Sequence, residues 1–244
     1  KRLGFPMLAG SSLPVTWRLP DLELDSGCVI EEALMIGVGG SDAMDYHCLE
    51  AMQCMVEHRE GGETGVRSVQ LIEGDAVWRA GRDGIWSEEL LIAALSRCDS
   101  PKGLPDEDGR TIDLFGTGEL LQRVPKPAAY LIDYLDGTRT TLLMLNGGIF
   151  DYCFAARIQG ESKPVSTQFL VTPIPNVNYS ASLVHKICEM LETEESPIPV
   201  ERTQIVCGIL ESCLDSMMAG HKRLDTDHLR VTYSPPSTPQ HFCT

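Results

Sequence analysis

The sequence has few basic residues, no long apolar run and no paired cysteine motif, and each absence excludes a class of protein. Its 20 Lys and Arg face 35 Asp and Glu, for a net charge of −15. This charge argues against a nucleic-acid binder, because affinity for phosphate needs clustered positive charge. No stretch reaches the roughly 18 consecutive apolar residues of a membrane span. The nine cysteines contain no C-x-x-C pair, and their dispersal predicts free thiols in a reducing, cytoplasmic compartment rather than metal ligands.

The motifs of several enzyme classes are also missing. The sequence has no G-x-S-x-G nucleophile turn, no H-E-x-x-H zinc motif and no phosphate-binding loop. It also lacks a G-x-G-x-x-G at a strand–helix turn, so these residues alone predict neither a dinucleotide cradle nor a metal site. The glycines within residues 37–40 indicate only a tight turn.

The most informative stretch runs from Ile36 to Gly74. Its pattern predicts a short apolar strand, a glycine turn, one helix, a second glycine turn and another strand. Ser41 and Asp42 are suitable N-cap residues just before the helical apolar pattern. We expect any chemistry in the chain at the N-terminal turn of this helix.

The order of the predicted elements indicates an α+β fold, with a mostly antiparallel open sheet and helices packed on one face. Residues 1–20 are interpreted as a crossover segment, residues 21–233 as the α+β domain and residues 234–244 as a loosely held Pro-rich tail. Asp136-Gly137 is the strongest hairpin signal. The other local predictions are strands at 5–9 and 28–38, loops at 78–86 and 99–110, a helix capped by Ser87, an antiparallel meander at 128–174, a helix at 180–191 and a final helix after Pro199.

Two helical patterns predict the surroundings of particular side chains. The helix at 180–191 has an apolar stripe that predicts a face turned toward the core. His58, between two charged neighbours, is typical of a helix end in solvent. The residues of the stripe are Leu183, Val184, Ile187 and Leu191.

His47 is the strongest candidate for proton transfer, since its unperturbed pKa lies near neutrality. Glu50 lies one helical turn farther on and is placed to orient the imidazole. Asp42, Asp45 and Tyr46 crowd the same end of the helix. A purely structural role for the histidine is the alternative that the spacing leaves open.

Arg18 is a candidate ligand for an anionic group. It follows a Gly-Ser-Ser turn and lies between two prolines. The alternative interpretation is a structural ion pair.

The stretch G-G-S-D-A-M-D-Y-H-C-L-E, residues 39–50, resembles the start of a long helix in the C-terminal domain of the glucose-fructose oxidoreductase/inositol dehydrogenase (Gfo/Idh/MocA) family. His47 and Glu50 resemble that family's His-x-x-Asp, with Glu in place of Asp. Ala43 stands where the family usually has a further Asp. The later strands, the Asp-Gly turn and the two closing helices are similar in order, and residues 1–18 resemble the crossover that follows the family's nucleotide-binding domain.

The resemblance implies the substrate-binding and oligomerisation portion of an oxidoreductase that moves hydride between NAD or NADP and a sugar-like or polyol substrate. An N-terminal Rossmann domain outside this chain would hold the cofactor, so the fragment alone is expected to be inactive. The open sheet would pair copies in a homo-oligomer. His47 and Asp45 would be catalytic. The substrate contacts would be Arg18, Asp42, Tyr46 and Glu50.

Two other functions remain open at this point. A non-catalytic binding or scaffold domain can use the same fold, because fold alone does not determine function. A hydrolase or lyase that uses His47 with Asp45 has no supporting motif in the sequence.

Overall fold

The computed structural model of the chain describes residues 4–39, 41–99, 113–172 and 177–242. Within these residues, the strands are β1 (Arg18–Leu19), β2 (Ile30–Gly37), β3 (Val66–Glu73), β4 (Ala128–Tyr134), β5 (Arg139–Met144), β6 (Tyr152–Ile158), β7 (Val165–Phe169) and β8 (Leu224–Asp225). The helices are α1 (Asp42–Val56), α2 (Asp75–Arg82), α3 (Glu88–Leu95), α4 (Glu119–Arg123), α5 (Val177–Thr193) and α6 (Val200–Met218).

The described strands form one sheet in the order β1-β7-β6-β2-β5-β4-β3-β8. β2 and β5 are parallel, and the other neighbouring pairs are antiparallel. The mixed α and β content and the mostly antiparallel sheet confirm the α+β prediction at this level. The predicted meander at 128–174 is wrong, because β2 lies between β5 and β6. The alternation of residues along a strand shows on which face of the sheet a side chain lies. It does not show which strand is the neighbour in the sheet.

The centre of the sheet is built around a crossover from β2 through α1 to β3. β3 runs parallel to β2, with β5 and β4 between them. Gly37 ends β2, and a Cβ there would lie 2.5 Å from the sulfur of Cys48, which is fully buried on α1. Glycine therefore lets α1 pack close to the strand. The helix begins after Ser41, as predicted, although the Ser41 side chain makes no capping hydrogen bond.

Helices cover both faces of the sheet. α1 contacts β2 and β5 on one face, and α6 contacts β3 on that same face. α2, α3 and α4 pack on the other face, where Trp86, Leu90 and Leu120 are buried. The prediction of helices on one face is therefore wrong. The sheet face that α2, α3 and α4 cover is not open for pairing with a second copy of the chain.

α3 begins after Ser87, as predicted, and the Ser87 side chain accepts a hydrogen bond from the backbone N–H of Leu90. α2 was missed because the glycines near it suggest a loop at 78–86. Residues 75–82 instead form α2, and Gly81 lies inside this helix. A Cβ on Gly81 would collide with the ring of Trp86. This glycine serves a close helix–ring contact rather than a turn.

The hairpin and the two closing helices confirm other local predictions. Gly137 turns the chain between β4 and β5 at a φ of +97°, and the backbone N–H of Thr138 donates to Asp136 Oδ1 at 2.9 Å. α5 and α6 occupy the expected ranges. The predicted strand at 5–9 is wrong, since these residues pair with no described strand. Of the predicted loop at 99–110, residues 100–110 lie outside the described residues.

The C-terminal tail is held at residues 241–242, where a loose end was expected. His241 is buried, with Nε2 2.7 Å from Asp21 Oδ1 and Nδ1 3.2 Å from Glu23 Oε2. The ring of Phe242 stacks on Trp17 with 5.1 Å between centroids. The residues that hold His241 and Phe242 lie at the other end of the sequence. The composition of the tail therefore could not predict these contacts.

None of the helices in the described ranges combines the length and the apolar character needed to cross a membrane.

Candidate functional site

His47 lies near the N-terminal end of α1, just beyond the glycine turn that follows β2. Its side chain is partly buried, and its ring meets Tyr46 edge-on with 5.8 Å between centroids. The buried Nδ1 has no hydrogen-bond partner among the described residues. Burial lowers the pKa of His47 below its ordinary value. The imidazole is therefore neutral at neutral pH, and a neutral imidazole can accept a proton. The buried Nδ1 is closed to a ligand.

Asp45 is held by a tyrosine rather than by His47. The hydroxyl of Tyr130, on β4, donates to Asp45 Oδ2 at 2.5 Å. Burial raises the pKa of Asp45 despite this hydrogen bond. The structure thus places both expected catalytic residues at the same end of α1, but it pairs Asp45 with Tyr130.

Glu50 is buried beneath the N-terminal segment. Its carboxylate accepts hydrogen bonds from the backbone N–H and the hydroxyl of Ser11, at 2.8 and 2.6 Å. Only 2% of Glu50 is exposed, so the predicted substrate contact through this residue is wrong. The predicted pairing with His47 is also wrong, because the carboxylate is committed to Ser11. Helical spacing placed the two residues on one side of α1, but it gave no sign of the segment that covers Glu50.

Arg18 contacts α1 at Cys54, with 3.6 Å between the guanidinium and the sulfur, and Cys54 lies about two helical turns beyond His47. Its side chain is 3% exposed and donates to the backbone oxygen of Leu22 at 2.9 Å. It also pairs with Glu23, and its guanidinium lies over the ring of Phe169 at 5.3 Å. The alternative interpretation, a structural ion pair, is the one that the structure supports, and Arg18 does not join the site.

Two further predicted residues remain at the His47 end. Asp42 is exposed at the first residue of α1, and Tyr46 is partly buried beside His47. Burial raises the pKa of Tyr46, so its phenol stays protonated and can donate a hydrogen bond.

Three tyrosines that the sequence did not single out surround this end of α1. Besides Tyr130, the hydroxyl of Tyr152 donates to the backbone oxygen of Val38 at 3.1 Å. Tyr179, at the start of α5, lies close enough to Tyr152 and Glu50 for their charges to raise its pKa, after the larger effect of burial. The strands of Tyr130 and Tyr152 were predicted, whereas Tyr179 lies one residue before the helix predicted at 180–191. Only the strand order shows that the three converge.

The glycine turn before α1 does not fit the phosphates of a dinucleotide. Asp42 and Asp45 place negative charge in the first helical turn, where a phosphate would bind. A Cβ on Gly39 would collide with Met44, so this glycine serves the close turn into the helix. No group of three His, Cys, Asp or Glu side chains within the described ranges is arranged to hold a metal ion. The site thus offers groups for an uncharged polar ligand.

A second polar cluster lies at the C-terminal end of α1. Arg202 forms a two-pronged ion pair with Glu57, with Nε 2.8 Å from Oε2, and the Tyr233 hydroxyl donates to the same carboxylate at 2.8 Å. The side chains of Glu57 and Arg202 are 0% and 3% exposed. His58 is also buried and lies 3.0 Å from Glu23, so its predicted exposure is wrong. This cluster joins α1 to α6 and to the C-terminal segment.

Comparison with protein-family models, with characterised proteins and with solved structures finds no match to this chain. The interpretation of the site depends on its own geometry.

Proposed function

We propose that the chain is the substrate-binding portion of an oxidoreductase that uses NAD or NADP and acts on a sugar-like or polyol substrate. The observation that carries the proposal is the state of His47. Its imidazole is partly buried near the start of α1, and burial lowers its pKa. A neutral imidazole in this position can take the proton of a substrate hydroxyl.

Oxidation of an alcohol removes a hydride from carbon and a proton from oxygen, and different parts of a protein can accept the two. Bound NAD or NADP accepts the hydride from the carbon atom. His47 accepts the proton from the oxygen atom, so charge does not build up on the substrate oxygen. The described residues fit no dinucleotide, and the proposal assigns cofactor binding to a separate nucleotide-binding domain that precedes residue 1.

The groups near His47 support a polyhydroxylated substrate. Asp42 offers an exposed carboxylate at the same end of α1, and Tyr46 offers a phenol that also interacts with Glu50 and Thr203. Carboxylates accept hydrogen bonds from hydroxyl groups, and a protonated phenol both donates and accepts them. The acidic character of this end disfavours a phosphorylated substrate and favours an uncharged sugar or polyol.

The proposal is tested with the protein in which the proposed nucleotide-binding domain accompanies this chain. Oxidation of a panel of hexoses and cyclic polyols is measured with NAD⁺ and with NADP⁺. We expect H47A to lower kcat/KM by about 100-fold or more, the usual contribution of a general base. H221A changes a histidine whose side chain is 42% exposed, and it serves as the matched control with unchanged activity.

Two results would overturn the proposal. If H47A oxidises the whole panel at the parent rate, the chain is a non-catalytic binding or scaffold domain. If calorimetry shows tight NADH binding to residues 1–244 alone, the division between cofactor domain and substrate domain is wrong.

A further inference from the structure

Cys98 and Cys153 bring two free thiols together on the face of the sheet that α2, α3 and α4 cover. Their sulfurs lie 3.6 Å apart, and one thiol donates a hydrogen bond to the other. Both side chains belong to the apolar cluster beneath these helices. No other two of the described cysteines share a hydrogen bond. The pair lies on the opposite face of the sheet from α1 and takes no part in the proposed function.

Two hydrogen bonds hold the chain on either side of Cys98 against the sheet. Cys98 follows the end of α3, and the second thiol lies near the start of β6. The guanidinium of Arg97 donates to Ser166 Oγ, on β7, at 2.9 Å. The backbone N–H of Asp99 donates at 3.0 Å to Oδ2 of Asp151, which directly precedes β6. These contacts fix the end of α3 beside β6, so the fold itself keeps the two sulfurs adjacent.

The separation of the two sulfurs suits the formation of a disulfide. An S–S bond is about 2.05 Å long, so the sulfurs have to approach each other by about 1.5 Å. Small rotations of the two cysteine side chains supply a movement of this size. The two residues are 55 positions apart in the sequence, and a cross-link between such distant positions restricts the unfolded chain strongly. Oxidation of the pair should therefore stabilise the fold.

Cys98 is the thiol placed to react first with an oxidant. It is 3% exposed, and its neighbours Arg97 and Asp99 are exposed, so it lies directly beneath the surface, whereas Cys153 is 0% exposed. The hydrogen bond with Cys98, together with burial, raises the pKa of Cys153 well above its ordinary value. The thiolate is the reactive form of cysteine. Cys153 is therefore a poor first target, and it is placed instead to attack a modified Cys98 sulfur.

We propose that Cys98 and Cys153 form a redox modification site, at which hydrogen peroxide converts the two thiols into a disulfide. Peroxide oxidises the Cys98 thiol to a sulfenic acid and releases one water. The Cys153 sulfur then attacks the Cys98 sulfur, forms the S–S bond and gives up its proton, and the hydroxyl group leaves as a second water. Two thiols are oxidised, and one peroxide is reduced to two waters. An added dithiol reverses the reaction by thiol–disulfide exchange.

The test maps the disulfides of residues 1–244 after peroxide treatment. The reduced chain is exposed to hydrogen peroxide, the remaining thiols are blocked with N-ethylmaleimide, and the chain is digested without a reductant. We expect mass spectrometry to find a peptide that joins Cys98 to Cys153, and dithiothreitol to remove it. C213S replaces a buried cysteine in the apolar cluster on the other face of the sheet. This control variant should keep the cross-link.

Two serine variants test the order of the reaction. In C153S the sulfenic acid at Cys98 has no partner thiol, and we expect dimedone, which reacts with sulfenic acids, to label Cys98 more than in the parent. In C98S the remaining thiol is fully buried, and dimedone should not label Cys153. Dimedone labelling of Cys153 in C98S at the level found for Cys98 in C153S would overturn the assignment of Cys98 as the first target.

The stability of the oxidised chain shows whether the bond forms within the native fold. We expect peroxide to raise the urea midpoint of the parent by at least about 1 M and to leave that of C98S unraised. A parent midpoint that does not rise would overturn the inference that the native fold accommodates the bond.

Three further results would overturn the proposal, and none of them depends on the proposed enzyme activity. The first is a pair that stays reduced while peroxide oxidises the exposed Cys188 and Cys207. The second is sulfinic acid at Cys98 without a cross-link, since the partner sulfur would then be out of reach. The third is a cross-link from Cys98 to a cysteine other than Cys153.

Discussion

Glu50 accepts two hydrogen bonds from a single residue, the backbone N–H of Ser11 at 2.8 Å and its hydroxyl at 2.6 Å. Gly10 makes this approach possible, because a Cβ there, at a φ of +127°, would collide with the Glu50 carboxylate. Burial raises the pKa of Glu50 to about 7, although the Ser11 hydrogen bonds and the charge of Arg202 oppose this effect. The N-terminal segment is thus tied to α1 by a carboxyl group that changes charge near neutral pH.

The Glu50 carboxyl makes the stability of the protein depend on pH. Its ordinary pKa is 4.5 and its folded-state pKa is about 7, so the folded state binds the proton more tightly. This contribution is complete below about pH 4.5 and is lost as the pH rises through 7. Gln stays neutral, so we expect the unfolding free energy of E50Q, relative to the parent, to rise by about 3 kcal/mol from about pH 4.5 to about pH 8.

Urea denaturation at both pH values measures this difference. E60Q alters an exposed carboxylate near the end of α1 and should show no comparable change between the two pH values. A constant offset between E50Q and the parent would contradict the prediction.

The buried ion pair between Arg202 and Glu57 should be costly to break on one side. R202M leaves the fully buried Glu57 without its cation, and we expect a loss of about 3–5 kcal/mol in unfolding free energy. R202M combined with E57L removes both charges and should recover a large part of the loss. R223M breaks a pair in which the arginine side chain is 47% exposed, and its cost should stay below about 1 kcal/mol. Similar losses for R202M and R223M would show that burial does not set the cost.

The approach of α1 to β2 should tolerate no added atom at Gly37. A Cβ in G37A would lie 2.5 Å from the Cys48 sulfur, and we expect a loss of about 1–3 kcal/mol from overpacking. C48A removes that sulfur, so the double variant G37A/C48A should lose less than the sum of the two single losses. Chemical denaturation of the four proteins gives the coupling. Additive losses would mean that the two groups do not meet.

The low pKa of His47 should shift the acid side of the activity profile. Burial lowers this pKa below 6.5, so the neutral, proton-accepting form persists to a lower pH than in a free imidazole. We expect kcat/KM for polyol oxidation by the full-length protein to fall only below about pH 6.5. An acid limb centred above that value would assign the controlling proton to another group.

The docked tail should be detectable through Trp17. The other two tryptophans, Trp78 and Trp86, are buried, so acrylamide quenching of fluorescence reports mainly on Trp17. H241A removes the side chain that faces Asp21 and Glu23, and we expect quenching to increase as Phe242 leaves the Trp17 ring. H228A, in a neighbouring segment, should leave quenching unchanged. Equal quenching in H241A and the parent would show that the stack holds the tail by itself.

Local patterns predicted the elements whose signals lie within a few residues. Ser41 before a helical apolar pattern marked the start of α1, and Asp136-Gly137 marked the hairpin between β4 and β5. The loop predicted around Gly81 was wrong, because glycine occurs both in turns and where a helix packs closely against an aromatic ring. The apolar stripe of α5 was recognised, but the prediction that it faces the core is wrong, because Val184 and Leu191 are 54% and 69% exposed. Periodicity identifies an apolar face and not what covers it.

The candidate site was predicted in part for the same reason. His47, Asp45, Tyr46 and Asp42 all lie in the first turns of α1, but Asp45 and His47, two residues apart on a helix, do not face each other. Arg18 lies away from the His47 end of α1, and Tyr130 was not predicted to lie there. The positions of both residues depend on the order of strands in the sheet. Glu50 was assigned to the ligand because the sequence does not show that Ser11 folds over it.

β2 occupies the middle of the sheet, yet both of its neighbours, β5 and β6, come from much later in the chain. During synthesis this eight-residue strand leaves the ribosome with both edges unpaired and with apolar side chains on both faces. An unpaired apolar strand can recruit a strand from another nascent chain. The newly made polypeptide therefore carries an unpaired apolar strand until Ile158 has emerged and the sheet can close around it.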